Sequence, residues 1–423
     1  MAGTQESDKN IDFKVSVILP AGGTGERFGC DQPKQYCKLL NKPLIHHTIS
    51  AFYRLPWIHD IVVVVSPEYK SYINEIILGH FVRKVKVTEG SSTRHRSIHA
   101  GIKCLQKGKS EPKVVIIHDA VRPFVDEDII KKVAVNATIY GASIFHLSNN
   151  YNNKISSIHS YRNKLVAGVT RPLVSTVISA DDENLLLESL DRSKYVNSEM
   201  PQAFEWDILT TAYNNADVDD YDFGTECLLL AMKYTKTRAK LIPGPDNLWK
   251  VTYKKDLFAA ESLLKEKLIS VSVQFFPPSP DEVMVENFQS ACNKKSLHFQ
   301  VNNSHKYPCN SIINVYTDTT DITRNKLDII TADTCKKYPT FNIQDPDITP
   351  CVLHVFNGET LELDKVSDFM KSISEVQRDH KHILIVGILY LDDDLSRLSE
   401  MIVSLIWNRD QTLSGQSFII NRS

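Results

Sequence analysis

The sequence predicts an α/β fold in two parts, and three observations carry that prediction. Four short runs rich in Val and Ile, VSVILP (15–20), IVVVVS (61–66), KVKVTEG (84–90) and VVIIHDA (114–120), lie between helix-length segments. Apolar runs of this kind fit strands covered on both faces, as in a parallel sheet. The composition, 42% hydrophobic and 24% charged over 423 residues, is that of a globular chain long enough for two cores.

Taken in order, residues 1–14 are polar, with no apolar core and no arginine, and predict a flexible N-terminus without a signal or transit peptide. The first domain is expected over 15–270, with crossover helices in 42–55 and 68–80. Residues 143–166 break the pattern: Asn149, Asn150, Asn152 and Asn153 sit among Ser, Lys and His, which predicts a solvated insert. The pattern resumes with AGVTRPLVSTVIS (167–179). A predicted helix at 254–268, a short strand at 269–276 and the run PPSPDE place a boundary near 268–282. A smaller C-terminal α/β domain, 283–423, follows, with strands expected at 351–357, 382–391 and 417–421. Its first half can hold no glycine-rich phosphate loop, because no glycine occurs between Gly244 and Gly358.

Charge and cysteine usage exclude several classes. Lys plus Arg total 49 against 51 acids, a net charge of −2, so no global basic field for nucleic acid exists. Eight scattered cysteines without a C-x-x-C pair argue against zinc or disulfides and for a reducing compartment. The longest apolar run, residues 383–391, is too short to span a bilayer. The expected location is the cytosol.

The chemistry is expected after the first strand. Gly22, Gly23 and Gly25 follow it directly, and without Cβ atoms their N–H groups can approach a polyphosphate. A dinucleotide G-x-G-x-x-G starting at Gly23 fails at Phe28, and the second strand ends in Ser66 and Pro67 rather than a ribose-binding acid. A P-loop also fails, since Gly108-Lys109-Ser110 has Lys103 where the first glycine belongs. Arg27 and Lys34 lie within a dozen residues of the loop. Fixed cations there suit attack at a triphosphate, where charge builds on the phosphate oxygens and the departing pyrophosphate. Asp119, at the carboxyl end of VVIIHDA, stands where open α/β sheets place ligands and is a suitable oxygen ligand for Mg²⁺. His118 beside it reads as a packed histidine, and Asp392-Asp393-Asp394 as a helix start.

Six motifs follow one another in order: LPAGGTGERFGCDQPKQY, VTEGSSTRHRSIHAGI, IHDAVRPF, DRSKYVNSEMPQAF, FGTECLLL and DNLWKVT. Together they resemble the cytidylyltransferases that make CDP-alditols, which include the methylerythritol-phosphate enzymes of isoprenoid synthesis and the ribitol-5-phosphate enzymes. The resemblance covers residues 15 to about 268. It implies a nucleotide-diphospho-sugar transferase fold, Rossmann-like with a mostly parallel sheet, working as a Mg²⁺-dependent homodimer on CTP and an alditol phosphate.

By position, it implies catalytic roles for Arg27, Lys34 and Lys250, and CTP binding by Ala21, Gly22, Gly23, Ser91, Ser92, Ser97, Asp119 and Ala120. It further implies acceptor contacts from Thr176, Arg192 and Arg122, metal contacts from Asp119 and Asp246, and a dimer arm over 172–202. The tail is similar to the C-terminal region of the animal ribitol-5-phosphate enzymes. That implies D-ribitol 5-phosphate as acceptor, with CDP-ribitol supplied to protein O-mannosyl glycan synthesis. The alternatives are methylerythritol 4-phosphate as acceptor, a nucleotide-binding protein without turnover, and a reductase-like binding module in the tail. Met200, where many bacterial and plastid members have the threonine of T-P-Q, counts against the first, as do the extra domain and the missing transit peptide. The joint presence of Arg27, Lys34, Asp119, Arg192 and Lys250 counts against the second.

Overall fold

A computed structural model describes residues 11–25, 28–29, 32–108, 110–138, 165–276, 280–301, 309–316, 324–342, 347–357, 363–391 and 394–420. Arg27, Asp392, Asp393 and all but the last two residues of the predicted 143–166 insert lie outside these. The chain forms two compact units, Met1–Lys38 with Lys42–Leu257 and Leu39–Asn41 with Phe258–Ser423.

In the first unit the Val- and Ile-rich runs form a seven-stranded sheet. From edge to edge its strands are Arg238–Pro243, Leu165–Pro172, Val196–Glu205, Val114–Ile117, Val15–Pro20, Ile58–Val65 and Val85–Glu89. All run parallel except Val196–Glu205, which is antiparallel to both neighbours. Alternate residues of the central strand serve two cores. Val17 and Leu19 pack with Ile45, Ile49 and Phe52 of one helix and Ile130 and Val133 of another, while Ile18 faces Ile98 and Ile102 on the opposite side. Gly101 lets the helix Arg94–Gln106 press onto the sheet, since a Cβ there would stand 2.7 Å from Ile18 Cγ2.

From Val15–Pro20 the chain builds outward through Ile58–Val65 and Val85–Glu89, then returns to Val114–Ile117 on the other side. Strand order thus reverses between Val15–Pro20 and Val114–Ile117, and a ligand crevice opens at such a reversal, outside the carboxyl ends of the strands. Pro20 and His118 mark that edge.

The second unit is a six-stranded, fully parallel sheet, ordered His298–Val301, Ser270–Phe276, Ser311–Tyr316, Cys351–Asn357, Leu384–Tyr390 and Ser417–Ile420. The second strand in sequence lies outside the first, and the rest follow in order, as in flavodoxin-like sheets. Helices Glu282–Asn293 and Leu395–Asn408 cover one face, and Arg324–Lys337 and Leu363–Asp379 the other. Asp394 caps the Leu395–Asn408 helix, accepting from the Arg397 N–H at 3.0 Å.

The expected boundaries, 15–270 and 283–423, need correction. Ser270–Phe276 is an inner strand of the second sheet, with Val271, Val273 and Phe275 buried in its core, and most of the helix Lys254–Leu268 clusters with that unit too. PPSPDE suggested a linker, but the strand before it is covered on both faces. Among the described residues, no helix is long and apolar enough to cross a membrane, and no disulfide joins the described cysteines.

Candidate active site

A cavity of about 460 Å³ opens at the strand reversal, lined by Pro20–Gly25, Lys34, Gln35, Ser91–Arg94, Ser97, Asp119–Val121, Lys250 and Thr252. Four segments build it, the fourth being the stretch that brings Lys250 and Thr252. The first is the glycine loop, whose start is tied to the sheet by the Ala21 N–H, which donates to the Val64 carbonyl at 2.7 Å. Gly25 turns the loop with φ +76°, a conformation that strains any residue with a Cβ. Gln35 is buried, and its amide donates to the carbonyls of Ala21 at 2.7 Å and Gly23 at 2.9 Å. One side chain thereby fixes two peptide units of the loop, and its neighbour Lys34 reaches the cavity.

The second segment precedes and opens the helix Arg94–Gln106. Thr93 caps that helix, accepting from the Arg96 N–H at 3.3 Å and donating to the Tyr221 carbonyl at 2.6 Å. Ser97 closes a small ring with Ser91: its hydroxyl accepts from the Ser91 N–H at 3.1 Å and donates to the Ser91 carbonyl at 3.2 Å.

The third segment carries Asp119, which is only 6% exposed. Arg94 donates to its Oδ1 from Nε at 3.4 Å and Nη2 at 3.3 Å. Arg122 Nε reaches Oδ2 at 3.1 Å, and Lys250 Nζ lies 3.3 Å from the same oxygen. Burial by itself would raise this carboxyl, but Arg94, Lys250 and Arg122 together outweigh it and hold it well below the usual carboxylate range. The described lining carries three cations, Lys34, Arg94 and Lys250, against this one carboxylate. An electropositive cavity with backbone amides on one wall suits a polyanion.

Eleven of the residues singled out from sequence line the cavity: Ala21, Gly22, Gly23, Gly25, Lys34, Ser91, Ser92, Ser97, Asp119, Ala120 and Lys250. Four others stand elsewhere. Arg122 is buried behind Asp119 and does not line the cavity; its guanidinium also donates to Glu199 and to the Leu248 carbonyl. Asp246 is exposed, and its carbonyl, rather than its carboxylate, is engaged, accepting from Arg171 Nη1 at 2.9 Å. Thr176 and Arg192 are exposed on an arm around the hairpin Ile178–Ala180/Leu186–Ser189, and Arg192 donates to the Val174 carbonyl at 3.3 Å.

Sequence reading missed Arg94, Thr93, Gln35 and Thr252. Arg94 is the consequential omission. It also donates to Cys227 Sγ at 3.2 Å and approaches Met200 Sδ at 3.9 Å, so the methionine that replaces the expected threonine packs behind a cavity cation. His118 is buried, packs on Phe52 and shares a 3.1 Å hydrogen bond with the Arg122 carbonyl; burial pushes it down to about 4, leaving it neutral at pH 7.

Comparison with known proteins adds the following. Residues 15–151 and 151–266 match the family model described as 2-C-methyl-D-erythritol 4-phosphate cytidylyltransferase. The chain is 37% identical to the D-ribitol-5-phosphate cytidylyltransferase of Xenopus tropicalis, over 96% of this chain and 98% of that protein. It is 35% identical to the human protein of the same name, over 96% and 90% of the two chains. A 2-C-methyl-D-erythritol 4-phosphate cytidylyltransferase of Caldanaerobacter subterraneus is 28% identical, covering 60% of this chain and 100% of that one.

Proposed function

This chain belongs to the 2-C-methyl-D-erythritol 4-phosphate cytidylyltransferase family, and from that premise we propose that it joins CTP to D-ribitol 5-phosphate, giving CDP-ribitol and pyrophosphate. One observation carries the choice of acceptor. The relatives named for ribitol 5-phosphate align over 96% of the chain, through both units, whereas the bacterial relative named for methylerythritol phosphate aligns over 60%.

The cavity supports the chemistry. An oxygen of the acceptor's phosphate attacks the α-phosphorus of CTP; that P–O bond forms as the bond to the bridging oxygen breaks, and its electron pair leaves with pyrophosphate. The attacking phosphate is already anionic at neutral pH, so no side chain has to remove a proton, which accords with a neutral, buried His118. The task is to bring two polyanions together and hold the charge that builds on the leaving group. Lys34, Arg94 and Lys250 are placed for that, and the glycine loop admits the triphosphate. Asp119 fixes the direction of two of the three cations.

Asp119 is also the one carboxylate in the described cavity lining, and so the residue that would hold Mg²⁺ there. A single carboxylate completed by substrate phosphates is a usual arrangement for that ion, so the site fits it, and Asp246 does not line the cavity. When bound there, Mg²⁺ would neutralise phosphate charge. The arm leaves Val174, Leu186 and Leu187 at least 68% exposed, which suits burial against a second copy that receives Thr176 and Arg192 beside its cavity. CDP-ribitol would then supply protein O-mannosyl glycan synthesis, from a cytosol whose reducing state suits the free thiols of the described cysteines.

The test is pyrophosphate release from CTP and Mg²⁺ with ribitol 5-phosphate, 2-C-methylerythritol 4-phosphate and other alditol phosphates. Ribitol 5-phosphate should give the highest kcat/KM. A preference for methylerythritol 4-phosphate would overturn the acceptor assignment, and no release with any member of the panel would overturn the activity.

A further inference from the structure

Lys250 reaches the cavity from a segment with little structure of its own. Between Gly244 and Tyr253 there is neither helix nor strand, and its backbone bonds include a weak turn, Leu248 N–H to the Pro245 carbonyl at 3.4 Å, and one link from Val251 to Val121 at 3.1 Å. After Lys250, Asp256 accepts from the Thr252 and Tyr253 N–H groups, each at 2.8 Å, and before it two arginines hold the backbone. Arg122 donates to the Leu248 carbonyl, and Arg171 donates to the Asp246 carbonyl at 2.9 Å. Both arginines converge on Glu199, which is buried where the strand Val196–Glu205 shifts register against Leu165–Pro172. One carboxylate oxygen accepts from Arg122; the other accepts from Arg171 Nη2 at 2.7 Å and Nε at 3.1 Å. Neither Glu199 nor either arginine lines the cavity.

We propose that Glu199 is a positioning residue for Lys250: by holding Arg122 and Arg171 together it fixes the 246–248 backbone, and so sets where the Lys250 ammonium stands against Asp119 and the transferred phosphate. The inference rests on the cytidylyl-transfer reading of the same cavity. Its physical basis is that a charge-paired guanidinium in a buried site is held in one orientation, and both of these spend further donors on the segment that delivers the lysine. Displacement of a reacting group by about 1 Å can cost about 100-fold, so a loosened segment should register in turnover.

The experiment is a double-mutant cycle of Glu199→Gln and Lys250→Ala, reading kcat/KM for ribitol 5-phosphate, Kd for CTP by calorimetry, and Tm. Glu199→Gln keeps the shape and removes the charge. In the wild-type background it should lower kcat/KM about tenfold or more; with Lys250→Ala already present it should change the remaining rate by less than about twofold, because the group it positions is gone. Glu199→Asp should restore part of the loss. A merely structural glutamate would lower Tm alike in both backgrounds while leaving kcat/KM of the folded protein unchanged, or would cost the same factor in both, and either result overturns the proposal. Should Glu199→Gln not fold, Arg171→Gln cuts the same link and takes its place in the cycle. If wild-type protein binds CTP but transfers nothing, the function assigned above fails, and the coupling is then judged on CTP affinity.

Discussion

Arg122 in the first unit and Arg409 in the second are both 7% exposed, yet opposite chemistry holds them. Arg122 is shared between two carboxylates, Asp119 and Glu199. Arg409 meets no carboxylate among the described residues. It donates to the Thr349 carbonyl, to Asn310 Oδ1 at 3.0 Å and to Ser311 Oγ, and burial lowers its guanidinium to about 10. The contrast separates two uses of a buried cation. One solvated by dipoles ties strand ends together and points nowhere. One paired with carboxylates becomes part of a directional network, and here that network ends on a cavity wall.

Removing each arginine should break that contrast most sharply. Arg122→Met leaves Asp119 and Glu199 each short of a partner and should cost about 3–5 kcal/mol of stability, with turnover falling as well. Arg409→Met should cost about 1–3 kcal/mol through its unsatisfied acceptors and leave kcat/KM unchanged. Urea titrations with parallel kinetics would decide it; equal loss of activity in the two variants would mean that the units are not separated in role.

Lys34→Ala tests the cavity end of the network. It should lower kcat by about 10²- to 10³-fold while weakening CTP binding far less. A raised KM with unaltered kcat would place Lys34 in ground-state binding alone.

Among the described residues, each unit has one histidine with no exposed surface, His118 and His354. Burial lowers His118 to about 4 and His354 to about 3. Both values lie below that of an unfolded histidine, so each group's contribution is complete above about pH 6.5 and is lost as pH falls toward the folded value. The gaps amount to roughly 3 kcal/mol for His118 and roughly 5 kcal/mol for His354. The urea midpoint should therefore drop between pH 6.5 and 4, and His118→Gln or His354→Gln should flatten that slope. An unchanged slope in both variants would assign the acid sensitivity to other groups.

What could be read in the sequence follows from how local each signal was. Strands such as Ile58–Val65 announced themselves because burial on both faces demands Val and Ile throughout. The boundary misled because Ser270–Phe276 interleaves Ser and Gln with its apolar residues, as an edge strand would, although neighbours flank it on both sides. Arg94 was passed over because nothing local distinguishes it from Arg96, two positions on. The helix turns them apart: Arg94 meets Asp119 in the cavity, and Arg96 pairs with Asp222 at the surface at 2.7 Å. Arg122 drew an acceptor role from its place beside Asp119, and only the fold turns its guanidinium inward to Glu199.

The smallest expected effect concerns the arm. Arg192→Lys should raise KM for ribitol 5-phosphate about tenfold, since lysine cannot reproduce a two-pronged grip on phosphate, and leave the Kd for CTP unaltered. Mixing Arg192→Lys with Lys34→Ala protein should recover activity in mixed dimers. No recovery, with subunit exchange confirmed, would place the acceptor site within one subunit.

The Gln35 staple has a consequence for timing. With the carbonyls of Ala21 and Gly23 already engaged by a buried amide, this stretch of the loop need not reorder each time a triphosphate arrives or pyrophosphate departs. Association slows when binding must wait for a conformational change. Replacing Gln35 with leucine would move that ordering from folding to encounter, and it would appear first as a slower on-rate for CTP, while the residence time of the bound nucleotide changed little.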